Sequence, residues 1–183
     1  MPPPNVNKYF IALLPPPPLK DEIHALKLHF QQRYNSKAAL NSPPHLTLHM
    51  PFEWKANKEE RLIAALKRFA ENRKPFSIQL KNFASFPPRV IYIDVASNAE
   101  LDILQRDLQR YCKMELQLFN ARYRDLPFHP HMTLAFRDLK KNDYEQAWQE
   151  FKDRSFSAFF EVKSLMLLKH DGKVWQPCVD CCF

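Results

Sequence analysis

A four-residue phrase occurs twice in this chain, as His45-Leu46-Thr47-Leu48 and as His131-Met132-Thr133-Leu134. Each copy begins just after a proline, Pro44 or Pro130, which favours extended backbone around it. Each alternates polar and apolar, the period of a half-buried strand. In a strand, residues i and i+2 share a face about 6.5 Å apart. His45 and Thr47 therefore share one face, and His131 and Thr133 another. The simplest use of two such faces is to aim them at each other across one cleft.

The segments around the phrases also recur in order. A strand over residues 9–14 is followed by a helix whose apolar stripe is Leu19, Ile23, Leu26, Phe30 and Tyr34. The strand His45 to Met50, a helix opened by Asn57 and Glu60, and a strand from Phe76 to Phe83 complete the first half. The second half repeats this. It has a strand over 89–96, a helix capped by Asn98, the strand His131 to Phe136, a helix opened by Asn142 and Glu145, and a strand over 156–161. Two more strands follow, 164–170 and 173–182, joined by a turn at Asp171-Gly172. Tyr9 and Ile91 are 82 residues apart, His45 and His131 86, and Phe76 and Phe156 80. Loops can absorb such small slips. The expectation is one bilobal domain over residues 1–183, with repeats of about 8–86 and 89–183. The two lobes would pack about a pseudo-two-fold axis, with the histidine strands meeting near it.

Composition narrows the function. The chain has 183 residues, enough for one sizeable core. No apolar run reaches membrane-spanning length, and the short stretch near the start does not read as a signal peptide. Cys112, Cys178, Cys181 and Cys182 crowd towards one end, unlike a disulfide framework. The expectation is a reduced, cytoplasmic, monomeric protein. A net charge of +7 suits a polyanionic partner such as RNA or a nucleotide as well as a solvated surface. The single glycine, Gly172, excludes glycine-rich phosphate loops.

Two facing His-x-Thr units can do specific chemistry. Imidazole titrates near neutrality, so one ring can be neutral while the other is charged, a general base with a general acid. Thr47 and Thr133 can donate hydrogen bonds to non-bridging phosphate oxygens. The set suits attack on a phosphodiester, and it calls for no metal or cofactor because protonation assists the leaving group. By the period-two rule His49 shares the face of His45, and His129 that of His131. Both are candidate rim groups. Arg122 and Arg124, before the second phrase, are candidate phosphate ligands. Phe10, Phe52 and Phe128, with Phe86, stand at strand ends where rings could stack on a base. The cysteines near the end lack a second pair to complete a zinc site and read as strand residues.

On its two phrases, the sequence resembles the 2H phosphoesterases, in particular the 2′-5′ RNA ligase-like and cyclic phosphodiesterase branch. The resemblance spans nearly the whole chain. It implies an α+β fold of two lobes, each an antiparallel sheet with helices outside and a cleft between. It implies metal-independent chemistry on 2′,3′-cyclic phosphates or 2′-5′ linkages, with His45 and His131 as the acid/base pair and Thr47 and Thr133 as phosphate binders. One position departs from the ligase-like branch, where an arginine often follows the second motif closely. Phe136 stands in its place and Arg137 comes one later. The competing readings are an RNA-binding module with little chemistry and a protein that joins RNA ends by the reverse reaction.

Overall fold

The computed structural model describes residues 5–119 and 127–183. Arg122 and Arg124 lie outside the described residues. The chain runs β1 (Val6–Leu13), α1 (Leu19–Tyr34), β2 (Leu46–Lys55), α2 (Glu59–Ala70), β3 (Phe76–Phe86), β4 (Val90–Val95) and α3 (Ala99–Glu115). It continues as β5 (His131–Ala135), α4 (Lys141–Phe151), β6 (Ser157–Val162), β7 (Ser164–His170) and β8 (Trp175–Cys182). This is an α+β fold with an antiparallel sheet, as the resemblance implies.

The strands lie in the order β6-β3-β4-β5-β2-β1-β7-β8, and every neighbouring pair is antiparallel. Two features differ from the expected pair of separate sheets built from consecutive repeats. The sheet is continuous, narrowing in its middle to one pair, Leu46 with Met132. The halves on either side of that pair also exchange strands. β3, from the first of the two expected repeats, hydrogen-bonds to β4 and β6, from the second. β7 and β8 instead extend the half that contains β1 and β2. A hairpin after Phe86 is the shortest route to β4, so β3 is committed to its sequence neighbour.

Helix α1 lies against β5 and α4, and α3 against β2 and α2. Each helix thus bridges to the strand that carries the other copy of the phrase. The face of α1 that does this is Ile23, Lys27, Phe30 and Tyr34, and that of α3 is Leu101, Gln105, Leu108 and Cys112. Asn98 caps α3 as expected, its Oδ1 accepting from the Leu101 N–H at 2.8 Å. The other two expected caps are not formed. Lys58 and Lys140 stand at the starts of α2 and α4 and make no side-chain cap bond. Asn57 lies in a short 3-10 turn before α2, and Asn142 inside α4. Gly172 closes the last hairpin at φ +100°, a backbone that side chains resist. Asp171 Oδ1 there accepts from the N–H groups of Lys173 and Val174 at 2.8 Å each.

Cys178, Cys181 and Cys182 all lie on β8, as expected for strand residues. Burial pushes the Cys112 thiol up to about 12 and the Cys181 thiol up to about 11. Among the described residues no helix is long and apolar enough to cross a membrane.

Candidate active site

The register around Leu46 and Met132 arranges the site. His45 and Thr47 flank Leu46, and His131 and Thr133 flank Met132. Flanking residues point to the face opposite the paired one. Leu46 and Met132 are fully buried on the core side. The four polar side chains therefore emerge together on the other face. Counting antiparallel from the pair sets His45 across from Thr133, and Thr47 across from His131. A two-fold axis through the pair exchanges the two phrases.

The histidines are held alike. His45 Nδ1 lies 2.7 Å from the Pro43 carbonyl, and His131 Nδ1 lies 2.8 Å from the His129 carbonyl. Each Nδ1–H donates to the carbonyl two residues back, which leaves Nε2 for a substrate. Both rings are partly buried, and both pKa values fall. Desolvation, then the nearby Lys27 ammonium and His131, pull His45 down to about 4 against the pull of the Pro43 carbonyl. Desolvation also lowers His131, while the His129 carbonyl and the Asp94 carboxylate oppose it. The two rings are close enough for the charge of His131 to bear on His45.

Aromatic rings line up behind each histidine. The Phe10 ring lies 4.9 Å from that of His45, and Trp175 meets Phe10 edge-on at 4.7 Å. The Tyr92 ring lies 5.1 Å from that of His131, with Phe86 edge-on to His131 at 5.3 Å. Phe10 and Tyr92 are each only 3% exposed. Phe10 is thus a wall that backs His45, and its faces are already covered, so it does not serve as a platform for a base. Phe86 is 40% exposed and keeps that capacity.

A cavity on this face is lined by Thr47, Gln105, Gln109, Pro127, Phe128, His129 and His131. Phe128 and His129 therefore stand beside the second phrase, as expected. His129 Nε2 is 3.1 Å from the Tyr92 hydroxyl and 3.6 Å from Asp94 Oδ1. Arg137, at φ 56°, lays its guanidinium over the Phe136 ring at 4.7 Å. Among the described residues no three His, Cys, Asp or Glu side chains gather as a metal-binding group.

His49 and Phe52 are not at this site. The β1–β2 register slips between the pairs Ala12–Thr47 and Ile11–His49, one extra residue on β2. A bulge of that kind breaks the alternation from which His49 was expected beside His45. His49 is only 2% exposed, with its Nδ1 2.9 Å from the Met50 carbonyl and Phe52 edge-on at 5.4 Å. Phe52 in turn stacks on Tyr9, about 20 Å along the strand from Leu46.

Four residues near the phrases escaped the sequence reading. Tyr92 was discoverable, since it stands 82 residues after Phe10, the offset of the two opening strands. Lys27 and Gln105 are polar residues within apolar helix stripes, and on α1 the periodicity puts Leu26, not Lys27, in the buried place. Asp94 gave no signal beyond its neighbourhood in β4.

Comparison with known proteins bears on the family and the fold. The description of the 2′-5′ RNA ligase superfamily fits residues 15–174. A protein of Geobacillus kaustophilus, named as a candidate phosphoesterase, is 31% identical over 150 residues, covering 79% of this chain and 78% of that one. One from Oceanobacillus iheyensis with the same kind of name is 26% identical over 92% of this chain and 93% of its own. Among crystal structures, TT0787 of Thermus thermophilus superposes with a TM-score of 0.68 at 21% identity, over 96% of this chain and 97% of the other. E. coli LigT with 3′-AMP superposes with a TM-score of 0.67 at 21% identity, over 98% and 99%. At such identities the structural likeness speaks for the fold, and the family match covers most of the chain. The chain belongs to the 2′-5′ RNA ligase superfamily, the 2H phosphoesterase group that its paired phrases resemble.

Proposed function

We propose that the protein is a metal-independent phosphoesterase that acts on 2′,3′-cyclic phosphate or 2′-5′ phosphodiester bonds of RNA or nucleotides. The observation that carries this is the four-residue set around one strand pair: two imidazoles fixed by their Nδ1 atoms, each with a threonine across from it. One neutral imidazole takes a proton from water as the water oxygen attacks phosphorus. The other, protonated, gives its proton to the ribose oxygen that leaves. Thr47 and Thr133 donate to the non-bridging oxygens, where negative charge builds up. The basic surface favours an RNA-like substrate in the cytoplasm. Crystal structures of LigT are described with 3′-AMP, ATP and NADP+, which supports a nucleotide here.

The test is turnover of 2′,3′-cyclic nucleotides and 2′-5′ dinucleotides in the presence of a chelator. His45→Ala and His131→Ala should each lower kcat by about 10²–10⁴-fold. Full activity in both variants would overturn the reading. Salt-sensitive RNA binding without turnover would mark a binding module instead. Ligated products would mark the reverse reaction.

A further inference from the structure

Superposing the buried faces of α1 and α3 sets Ile23, Lys27, Phe30 and Tyr34 against Leu101, Gln105, Leu108 and Cys112. These two faces then differ in charge at one place, where Lys27 corresponds to Gln105. Both are buried, 2% and 6% exposed. The Gln105 Nε2 sits 3.5 Å from the Leu48 carbonyl. The Lys27 ammonium donates to the carbonyls of Ala39 and Ser42 at 2.9 and 3.1 Å. Among the described residues no carboxylate pairs with it. A buried amine held only by carbonyls is costly, and here it stands just behind the loop that presents Pro43 to His45.

We propose that Lys27 is a positioning residue that makes the two histidines inequivalent. It pins the loop 39–42, so that the Pro43 carbonyl meets His45 Nδ1, and it places a cation behind His45 that has no counterpart behind His131. His45 is then the proton acceptor of the pair and His131 the donor. This assignment rests on the acid–base reading above.

The surrounding charges agree. The groups that act on His45 are Lys27 from α1 and His131 from β5, both cationic when protonated and so both opposed to its protonation. Those that act on His131 are His129 and Asp94, of opposite sign. Burial pulls Lys27 itself down to about 7. From about pH 4 to 7, then, the proton of this buried corner rests on Lys27 and His45 stays neutral. In the other half, the Asp94 carboxylate favours protonated His131.

The experiment follows both imidazoles by NMR titration in the wild-type protein, Lys27→Gln and Lys27→Arg, alongside the pH dependence of kcat/KM. The substitution to glutamine copies the neutral half. His45 should titrate below His131 in the wild type. Lys27→Gln should raise the His45 midpoint and the acid limb of the rate profile by about one pH unit, and Lys27→Arg should restore both. An unmoved His45 midpoint in Lys27→Gln, or His131 titrating below His45 in the wild type, would overturn the proposal. If no substrate turned over, the phosphoesterase reading would fail, and with it the roles of acceptor and donor. The imidazole titrations would still decide whether Lys27 acts on His45. If Lys27→Gln did not fold, Lys27→Met, neutral and of similar length, would be titrated in its place, with the same two outcomes.

Discussion

Leu46 faces Met132 across the middle of the sheet, and among the described residues this is the one cross-strand pair that joins β2 to β5. Every residue proposed for the chemistry is its immediate neighbour. Truncating Leu46 to alanine should cost about 2–5 kcal/mol, as for other fully buried leucines. Chemical denaturation measures this loss. Under conditions where the variant remains folded, kcat should still fall, because the two phrases lose the side chain that sets their spacing. Met132→Ala should behave alike, and the double variant should lose less than the sum, since the two side chains share one contact.

Stability should rise with pH on the acid side. His45 titrates at about 4 in the folded protein, below its ordinary 6.5. Between those values the unfolded chain binds the proton more readily than the native one. The stability contributed by neutral His45 is therefore fully present above pH 6.5 and drains away as pH falls towards 4. Urea midpoints from pH 7 to pH 4 would follow this, and His45→Asn should flatten the slope.

His49 should prove structural. It lies in the core beside Phe52, beyond the bulge of β2. Its replacement by alanine should lower stability by about 1–3 kcal/mol through the lost packing and the lost bond to the Met50 carbonyl. The kcat of the folded variant should change by less than about threefold. Paired measurements of unfolding and turnover separate this from the loss expected at His45.

Asp138 should be a remote support for the first phrase. Its Oδ1 accepts from the Ser36 hydroxyl at 2.8 Å, and its Oδ2 from the N–H groups of Lys37 and Ala38 at 2.9 Å each. This clasp runs from the β5–α4 connection to the segment that leads into the Lys27-bound loop. Asp138→Ala leaves three donors to find new partners and should cost about 1–3 kcal/mol. Thermal unfolding would record it, and hydrogen exchange should quicken at residues 36–38.

The two phrases were legible because strand alternation and repetition are local properties. His45, Thr47, His131 and Thr133 follow from residue spacing alone, and the strand pair at Leu46 and Met132 brings them to one face. His49 was misplaced because a bulge depends on how β1 pairs with β2, which no window of β2 reveals. Asn57 and Asn142 have good capping spacing, but the cap position of α2 falls one residue after Asn57, at Lys58, and that of α4 two residues before Asn142, at Lys140. Lys27 was hidden because lysine on a helix stripe ordinarily reads as solvated. The carbonyls that hold it inside come from Ala39, in the turn at 38–41, and from Ser42, just after it.

The exchange of β3 for β7 and β8 bears on how a chain with this strand order can be taken apart. Severing the backbone between Phe86 and Val90 would release an amino-terminal fragment whose last strand has lost both neighbours, and a carboxy-terminal fragment with an open seat between β4 and β6. Neither piece retains a complete set of partners, so each should be soluble and ordered only when mixed with the other. Reconstitution from the two polypeptides is then a direct readout of this interlock.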